Sequence, residues 1–591
     1  MISSGLDLGI VGNGTIAGLV DARASYTWLC LPRLDGEPIF NALLNGGGSF
    51  SVWLEGLCET SQSYDKGTAI LRTCLKAEDG SELEITDFAP RFERRGRVFR
   101  PASVVRRFRV VSGEPQIRIS LTPQADWGAS DLKPIRGVNH IRYGEGETAF
   151  RVTTDAPVSY ILSNTSFLLD RDVTFILGAD EPLTDSPDVI GRDWETRTHA
   201  YWARWSRSLA VPFEWQDAVI RSAITLKLCV YEETGGIVAA LTTSIPEHEG
   251  SERNWDYRFC WVRDAYFTVT ALNRLSAMGT LEHYMRWARN IVAHSKGGHI
   301  QPVYGIGLEA DLTERIATDL PGYRDTGPVR VGNQAAEHIQ HDVYGQIVLG
   351  VSQSFFDRRL LSNPGRAEFE QLEPVGERAY AMHDQPDAGI WEFRTIAQVH
   401  TSSAIMCWAA CDRLAKIAAH LEIEDRAKYW TERAAAIKTK VLAEAWSETR
   451  GAFTAAFGGT ALDASVLLMA EIGFVAADDP RYVATVEAID GELREGNHVY
   501  RYKVEDDFGK PKTAFTACTF WLIDALHRIG RTDEAREMFA SVLASRNHLG
   551  LLSEDVDPKT GELWGNFPQT YCMVGIINSA ALLSKPWSAV V

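Results

Sequence analysis

Residues 384–394 read "DQPDAGIWEFR", and a short connection later residues 402–421 read "SSAIMCWAACDRLAKIAAHL". Asp384, Pro386, Asp387 and Gly389 are turn formers, so the first segment is a loop. The second is a helix that is apolar almost all round, and such a helix is buried on every side. A loop carrying Trp391, Glu392, Phe393 and Arg394 therefore opens onto a helix in the middle of a core. Glu392 poses the functional question. A carboxylate beside an indole is costly to ionise and its pKa rises, which suits a general acid. A loop glutamate with its side chain in water fits the same letters.

The pattern repeats through the C-terminal two thirds of the chain. After Pro212 about twelve helical segments follow one another, among them "QDAVIRSAITLKLCVY", "DAYFTVTALNRLSAM", "NQAAEHIQHDVYGQIVLGVSQSF", "DASVLLMAEIGF", "ACTFWLIDALHRIG" and "YCMVGIINSAALLS". Several are apolar nearly all round, as the inner helices of a double ring would be. Twelve helices in consecutive hairpins predict an (α/α)6 barrel. An open helical solenoid is the competing fold, but no fixed-period self-similarity supports it. Four connections, 233–264, 297–333, 384–399 and 547–567, are long and rich in Trp, Tyr, Arg and acids, and such loops on one rim of a scaffold carry function.

The first third differs. From about Asp7 to Asp180 short alternating runs such as "SFSVWL", "LEITDFAP", "PQIRISLTP" and "VTFILGA" are broken by turns roughly every ten residues, the rhythm of an antiparallel β-sandwich. "DWETRTHAYWARWSRSL" then reads as a helix. The predicted organisation is a β-sandwich domain over 1–190, a linker helix over 191–211 and a catalytic barrel over 212–591.

The length of 591 residues calls for more than one core. A net charge of −18 argues against nucleic-acid partners and anionic membrane surfaces. No apolar run reaches the 18 residues of a membrane helix. The N-terminus lacks the basic and apolar regions of a secretion signal. The nine cysteines fit no zinc spacing and read as reduced thiols of a cytoplasmic protein. "GNGTIAG" (12–18) precedes strand-like sequence rather than a helix, so it is a turn and not a phosphate cradle. His338 and His341, with Glu337 and Asp342 beside them, stand at i, i+3 on what reads as a long helix; the HExxH order is absent, and a structural or hydrogen-bonding role is expected.

Two further constellations carry chemistry. In "NWDYRFCWVRDAYF" (254–267), Tyr257, Trp261, Arg263 and Asp264 crowd in front of an apolar helix. Asp264 capping that helix explains the segment. So does a sugar clamp, in which the Arg–Asp pair binds neighbouring hydroxyls and the aromatics stack. "NHLGLLSEDVDPKTGELWGNFPQTY" (547–571) places Glu554 in another Gly/Pro/Trp loop, 162 positions after Glu392, and only a closed barrel brings the two together.

With these motifs in order, the chain resembles glycoside hydrolase family 15, the glucoamylase-like enzymes and their bacterial trehalase relatives. The resemblance rests on residues 12–44, 242–267, 328–348, 387–394 and 550–571. It implies an inverting exo-hydrolase of α-glucosides that needs no cofactor or metal, with Glu392 as general acid and Glu554 as general base. It implies Arg263 and Asp264 on the hydroxyls of the cleaved sugar, Tyr257 and Trp261 as aromatics of that subsite, and Trp391 as the wall beside the acid. Arg394 joins the candidate substrate-binding residues. Many relatives read Arg-Gly and later a lysine where this chain has Thr395 and Ala404, and Phe259 stands where fungal glucoamylases carry a tyrosine. The expected substrate is α,α-trehalose, with maltose- or isomaltose-type oligosaccharides next; the sequence leaves homo-oligomers open. An inverting phosphorylase or transferase would make Glu554 dispensable, and a non-catalytic sugar-binding protein would need neither acid.

Overall fold

The computed structural model describes residues 5–295 and 298–590. The first four residues of the N-terminal segment read for a secretion signal, and position 297 at the start of one long loop, lie outside them. Two antiparallel sheets form the N-terminal part. One has seven strands between Leu8–Gly12 and Phe167–Leu168, the other eight between Leu57–Tyr64 and Val173–Ala179. The alternating residues of both inner faces, among them Tyr26, Phe50, Leu75, Ile85, Phe108, Ile119 and Phe175, make one core. A buried ion pair lies within it. Arg106 Nε donates to Asp87 at 2.7 Å, and the guanidinium lies over the rings of Tyr26 and Phe50. Residues 12–18 turn the hairpin between Leu8–Gly12 and Ala17–Asp21, with Gly14 in the left-handed region at φ 81°.

The linking helix spans Pro187–Arg207, starting several residues earlier than the sequence pattern suggests. The reason is local: Ser186 Oγ caps the N–H of Val189, and Pro187 sits at the first helical position.

Twelve helices follow among the described residues. The first six are α1 (Gln216–Leu228), α2 (Val262–Arg274), α3 (Met278–His294), α4 (Asp342–Phe356), α5 (Arg366–Met382) and α6 (Thr401–His420). The rest are α7 (Glu424–Glu444), α8 (Leu468–Glu471), α9 (Pro480–Leu493), α10 (Thr516–Arg528), α11 (Thr532–Ala544) and α12 (Thr570–Leu583). The even-numbered helices close the inner ring. α2 packs on α4, α4 on α6, α6 on the 3-10 turn Ala464–Leu467 that leads into α8, that turn on α10, α10 on α12, and α12 back on α2. The odd-numbered helices back them from outside. The inner ring is buried on nearly all sides: in α12 only Ala581 and Leu582 escape full burial, and in α6 every residue from Thr401 to Cys411 is buried. This is an (α/α)6 barrel joined to a β-sandwich.

Two ring segments depart from the simplest helical reading, and both do so beside the rim. "NQAAEHIQH" is not the first part of a long helix. Asn333 caps a 3-10 turn over Gln334–Glu337, and α4 starts only at Asp342. The intervening polar groups are used elsewhere: His341 N–H donates to Asp387 Oδ2 at 2.8 Å and the Gln340 amide to Gly389 O at 2.5 Å. His338 and His341 thus do not share a helix face. "DASVLLMAEIGF" is a 3-10 turn plus one α-turn, because Asp463 accepts from both the N–H and the hydroxyl of Ser465 and Gly473 at φ 83° ends the run. No helix of the described residues is long and apolar enough to cross a membrane.

Candidate active site

The long connections at one end of the inner ring line a cavity that opens to solvent. Tyr257, Trp261, Arg263, Asp264, Trp391, Glu392, Arg394 and Glu554 all line it. The 254–267 segment supplies four of them by dividing its polar residues between two directions. Asp256 and Arg258 turn away from the cavity: they pair at 2.7 Å, fully buried, and Arg258 Nη1 donates to Gly36 O of the sandwich at 2.6 Å. They tie the motif to the first domain. Tyr257, Trp261, Arg263 and Asp264 face the cavity.

Glu392 sits at the tip of the loop before α6. Its backbone is in the left-handed region at φ 62°, a conformation that costs a non-glycine residue about 1–3 kcal/mol and persists only where neighbours enforce it. One neighbour is Gly389 (φ 65°), where a Cβ would meet the His400 ring at 2.7 Å. Glu392 Oε1 accepts from Trp261 Nε1 at 2.6 Å and from Arg263 Nη1 at 3.3 Å. Arg263 is itself aimed by Ile390 O at 2.8 Å and by Asp264 Oδ2 at 3.0 Å. Burial pushes the Glu392 carboxyl above its usual range, against the Arg263 charge and the Trp261 donor. Asp264 does not cap α2 with its side chain; it lies in the first turn, almost fully buried, holding Arg263.

Trp391, expected as a wall, stands against Phe515 with ring centroids 5.5 Å apart, and its indole N–H donates to Asp463 Oδ2 at 2.7 Å. The carboxylate that shapes the start of α8 thereby also fixes this wall. Arg394 lies over the face of Trp255 at 4.8 Å and pairs with Glu314 at 3.1 Å.

Glu554 is held differently. It precedes the strand Asp555–Val556, which pairs with Ala514–Phe515 on one side and Leu563–Trp564 on the other. Its own carbonyl accepts from Thr516 N–H at 3.0 Å. Only 2% of the residue is exposed. Gly565 passes so close that a Cβ there would lie 2.8 Å from Glu554 Cβ. Tyr257 Oη donates to Glu554 Oε1 at 2.7 Å. The rings of Tyr257 and Trp261 meet edge to face, with centroids 5.3 Å apart. One aromatic pair thus tethers both carboxyls, each to its own ring.

Burial, then the negative charge of Glu247, pushes Glu554 up to about 8, while Arg501 and the Tyr257 hydroxyl pull it down. Glu247, Glu554 and Asp555 present oxygens within 4.8 Å of one another, the one such group of three among the described residues. The group already holds its own cation and donors. Arg501 pairs with Glu247, Tyr257 bonds Glu554, and Thr513 Oγ1 donates to Asp555 at 3.1 Å. This is the make-up of a proton-sharing acid cluster.

Several lining residues escape a reading of the sequence: Glu247, Arg501, Tyr502 and Asp507. Three of them come from the connection between α9 and α10, whose letters "RYKVEDDFG" mix aromatics, acids and glycine as the other long loops do. His338 also borders the cavity, with neither ring nitrogen bonded among the described residues, and burial holds it below its usual pKa. Ala404 is wholly buried within α6, and Phe259 is buried in one apolar cluster with Trp261.

Comparison with known proteins fits this architecture. The model of glycosyl hydrolases family 15 matches residues 215–581, most of the chain, and a trehalase-like N-terminal model matches 6–157. The chain belongs to glycosyl hydrolase family 15. This family-15 protein is 32% identical to a curated trehalase of Thermoplasma volcanium, over 98% of the chain and 93% of the relative. It is 32% identical to the trehalases of Mycolicibacterium smegmatis and Mycobacterium tuberculosis, over 97% and 95% of the chain and 90% and 87% of theirs. Its fold matches a bacterial glucoamylase crystallised with acarbose, with a TM-score of 0.70 at 12% identity, covering 97% of this chain and 93% of that one. As a member of the family it is an O-glycoside hydrolase.

Proposed function

We propose that the protein hydrolyses α,α-trehalose to two glucose molecules with inversion at the attacked carbon. Glu392 is the general acid and protonates the glycosidic oxygen. Glu554 is the general base and takes a proton from a water on the opposite face. Arg263 and Asp264 hold hydroxyls of the reacting glucosyl unit, Tyr257, Trp261 and Trp391 wall it, and Arg394 borders the leaving sugar. The observation that carries the reading is the pair of tethers across one cavity, Trp261 and Arg263 on Glu392 and Tyr257 on Glu554. Inversion requires carboxyls about 6.5–9.5 Å apart, with room between them for the sugar carbon and a water. Trehalose is favoured over maltose and isomaltose by the names of the relatives matched along nearly the whole chain. A division into sandwich 1–190, linker 191–211 and catalytic barrel 212–591 accompanies this reading. So does a cytoplasmic setting, supported by nine free cysteines.

Glucose release from trehalose, maltose, isomaltose, kojibiose, nigerose and soluble starch, with and without phosphate, tests the proposal. Trehalose is expected to be cleaved fastest, without phosphate as co-substrate. Glucose 1-phosphate appearing in place of one glucose would instead mark a phosphorylase.

A further inference from the structure

We propose that Asp507 is a positioning residue for the proton donor: it latches the segment following Glu392 to the loop between α9 and α10, and the Thr395 hydroxyl completes the latch. The inference rests on Glu392 being the general acid.

The acid loop is closed at its stem, where Asp387 and Gln398 exchange backbone hydrogen bonds at 2.9 and 3.2 Å. Its tip, residues 388–395, lines the cavity through Ile390 to Arg394. On the N-terminal side of the left-handed Glu392 the tip makes local turns, Glu392 N–H to Gly389 O at 3.1 Å and Phe393 N–H to Ala388 O at 3.0 Å. On the C-terminal side two successive peptide N–H groups and one side chain all end on a single carboxylate. Arg394 N–H donates to Asp507 Oδ2 at 2.6 Å, Thr395 N–H to Oδ1 at 3.1 Å, and the Thr395 hydroxyl also to Oδ1.

Asp507 can hold the tip because its own loop is fixed. The neighbouring Asp506 accepts from Tyr502, from Arg253 and from Phe508 N–H at 2.8 Å, and Arg253 also reaches Gly509 O at 2.7 Å. Phe508 and Trp255, edge to face at 5.1 Å, then form the surface on which the Arg394 guanidinium lies. Burial opposes ionisation of Asp507, yet the Thr395 and Arg394 donors outweigh it and keep the carboxylate below its ordinary pKa.

A backbone in a sparsely populated region needs restraint on both sides, and a general acid must stay within hydrogen-bond reach of the oxygen it protonates. Cutting the C-terminal restraint lets residues 392–395 relax and moves the Glu392 carboxyl. Thr395 stands where the resemblance expects glycine, and it adds the one side-chain donor of the latch.

The test separates loss of proton donation from general damage by changing the leaving group. Hydrolysis of trehalose breaks C1–O, and the departing glucose takes its proton from Glu392. Hydrolysis of α-glucosyl fluoride breaks C1–F, and fluoride leaves without a proton, while the attacking water still gives one to Glu554. Asp507→Ala is expected to lower kcat on trehalose about 50-fold, with KM within about threefold and the rate on the fluoride within about fivefold of wild type. Thr395→Val should show the same pattern more weakly, about fivefold on trehalose, and Thr395→Ser should restore the wild-type rate. Equal losses on both substrates in Thr395→Val, or no loss on trehalose in either Asp507→Ala or Thr395→Val, would overturn the latch while leaving the function standing. A wild-type enzyme that cleaves neither substrate would overturn the reading of the site, and the latch with it.

Discussion

The two candidate carboxyls sit on one cavity and are built in opposite ways. Glu392 rides on a strained loop tip with a fifth of its side chain exposed, positioned by donors that reach it from other elements. Glu554 is locked at the edge of a strand in a three-stranded rim sheet and almost completely buried among other acids. The difference matches the demands of the two roles. A general acid follows a glycosidic oxygen whose position changes as the sugar distorts, and a loop held by side chains can be tuned to it. A base for water gains from a fixed location. Their electrostatics differ as well. For Glu392 the opposing charge is the cation Arg263, so burial raises the pKa and Arg263 limits the rise. For Glu554 burial and Glu247 both favour the proton, and Arg501 and the Tyr257 hydroxyl oppose them.

Removing either carboxyl breaks the arrangement, and the base should matter most. Glu554→Gln keeps the shape and the Tyr257 contact but cannot take a proton. We expect kcat to fall about 10³- to 10⁴-fold with KM little changed, since water activation counts only in the transition state. Retention of a tenth of the wild-type kcat would contradict the assignment.

Glu392→Gln should lower kcat on trehalose about 10²- to 10³-fold. It should also abolish the alkaline limb of the kcat/KM profile, because no group is left whose deprotonation stops donation. A surviving alkaline limb would point to another acid.

Arg263→Ala sharpens the contrast. Hydroxyl contacts at the reacting sugar strengthen as it distorts, so kcat as well as KM should suffer, by about 10²-fold in kcat/KM. The residual activity carries a sign. Arg263 lowers the Glu392 pKa, so its removal raises that pKa and the alkaline limb moves to higher pH. Loss in proportion to folded protein, with no shift of the limb, would make Arg263 structural.

The smallest effect is expected on the other carboxyl. The negative charge of Glu247 raises the Glu554 pKa. Glu247→Gln removes that charge and frees Arg501 from its partner, and both changes favour ionised Glu554. The acidic limb of kcat/KM should shift to lower pH with a modest change in its plateau. An unmoved limb would detach Glu247 from the base.

The same contrast explains what a sequence exposes. The inner-ring helices are legible because burial on every face leaves long apolar runs: α6, α10 and α12 begin and end within two residues of the letters that suggested them. The loops bearing Glu392 and Glu554 are legible from their turn residues and tryptophans. What is not legible is the set of partners that holds each loop in place. Asp507 meets Thr395 across 112 positions, Asp463 meets Trp391 across 72, and Arg501 meets Glu247 across 254. These contacts have no periodicity and no local signal, because each exists only once the ring has closed. "AEHIQH" misleads for the same reason. Its helical spacing is sound, but Asp387 of the acid loop takes the His341 N–H that a helix would have used, and Gly389 O ties the Gln340 side chain.

The most direct test of the acid–water–base arrangement is stereochemical. Trehalose joins two α-linked glucoses, and inversion at one of them yields one β-glucose and one α-glucose. Anomeric proton signals followed by NMR in the first minutes, before mutarotation, should therefore rise in a ratio near 1:1. A retaining enzyme, with carboxyls about 5–5.5 Å apart, would release the α-anomer alone. An α-only burst would contradict inversion and the role of Glu554 as base.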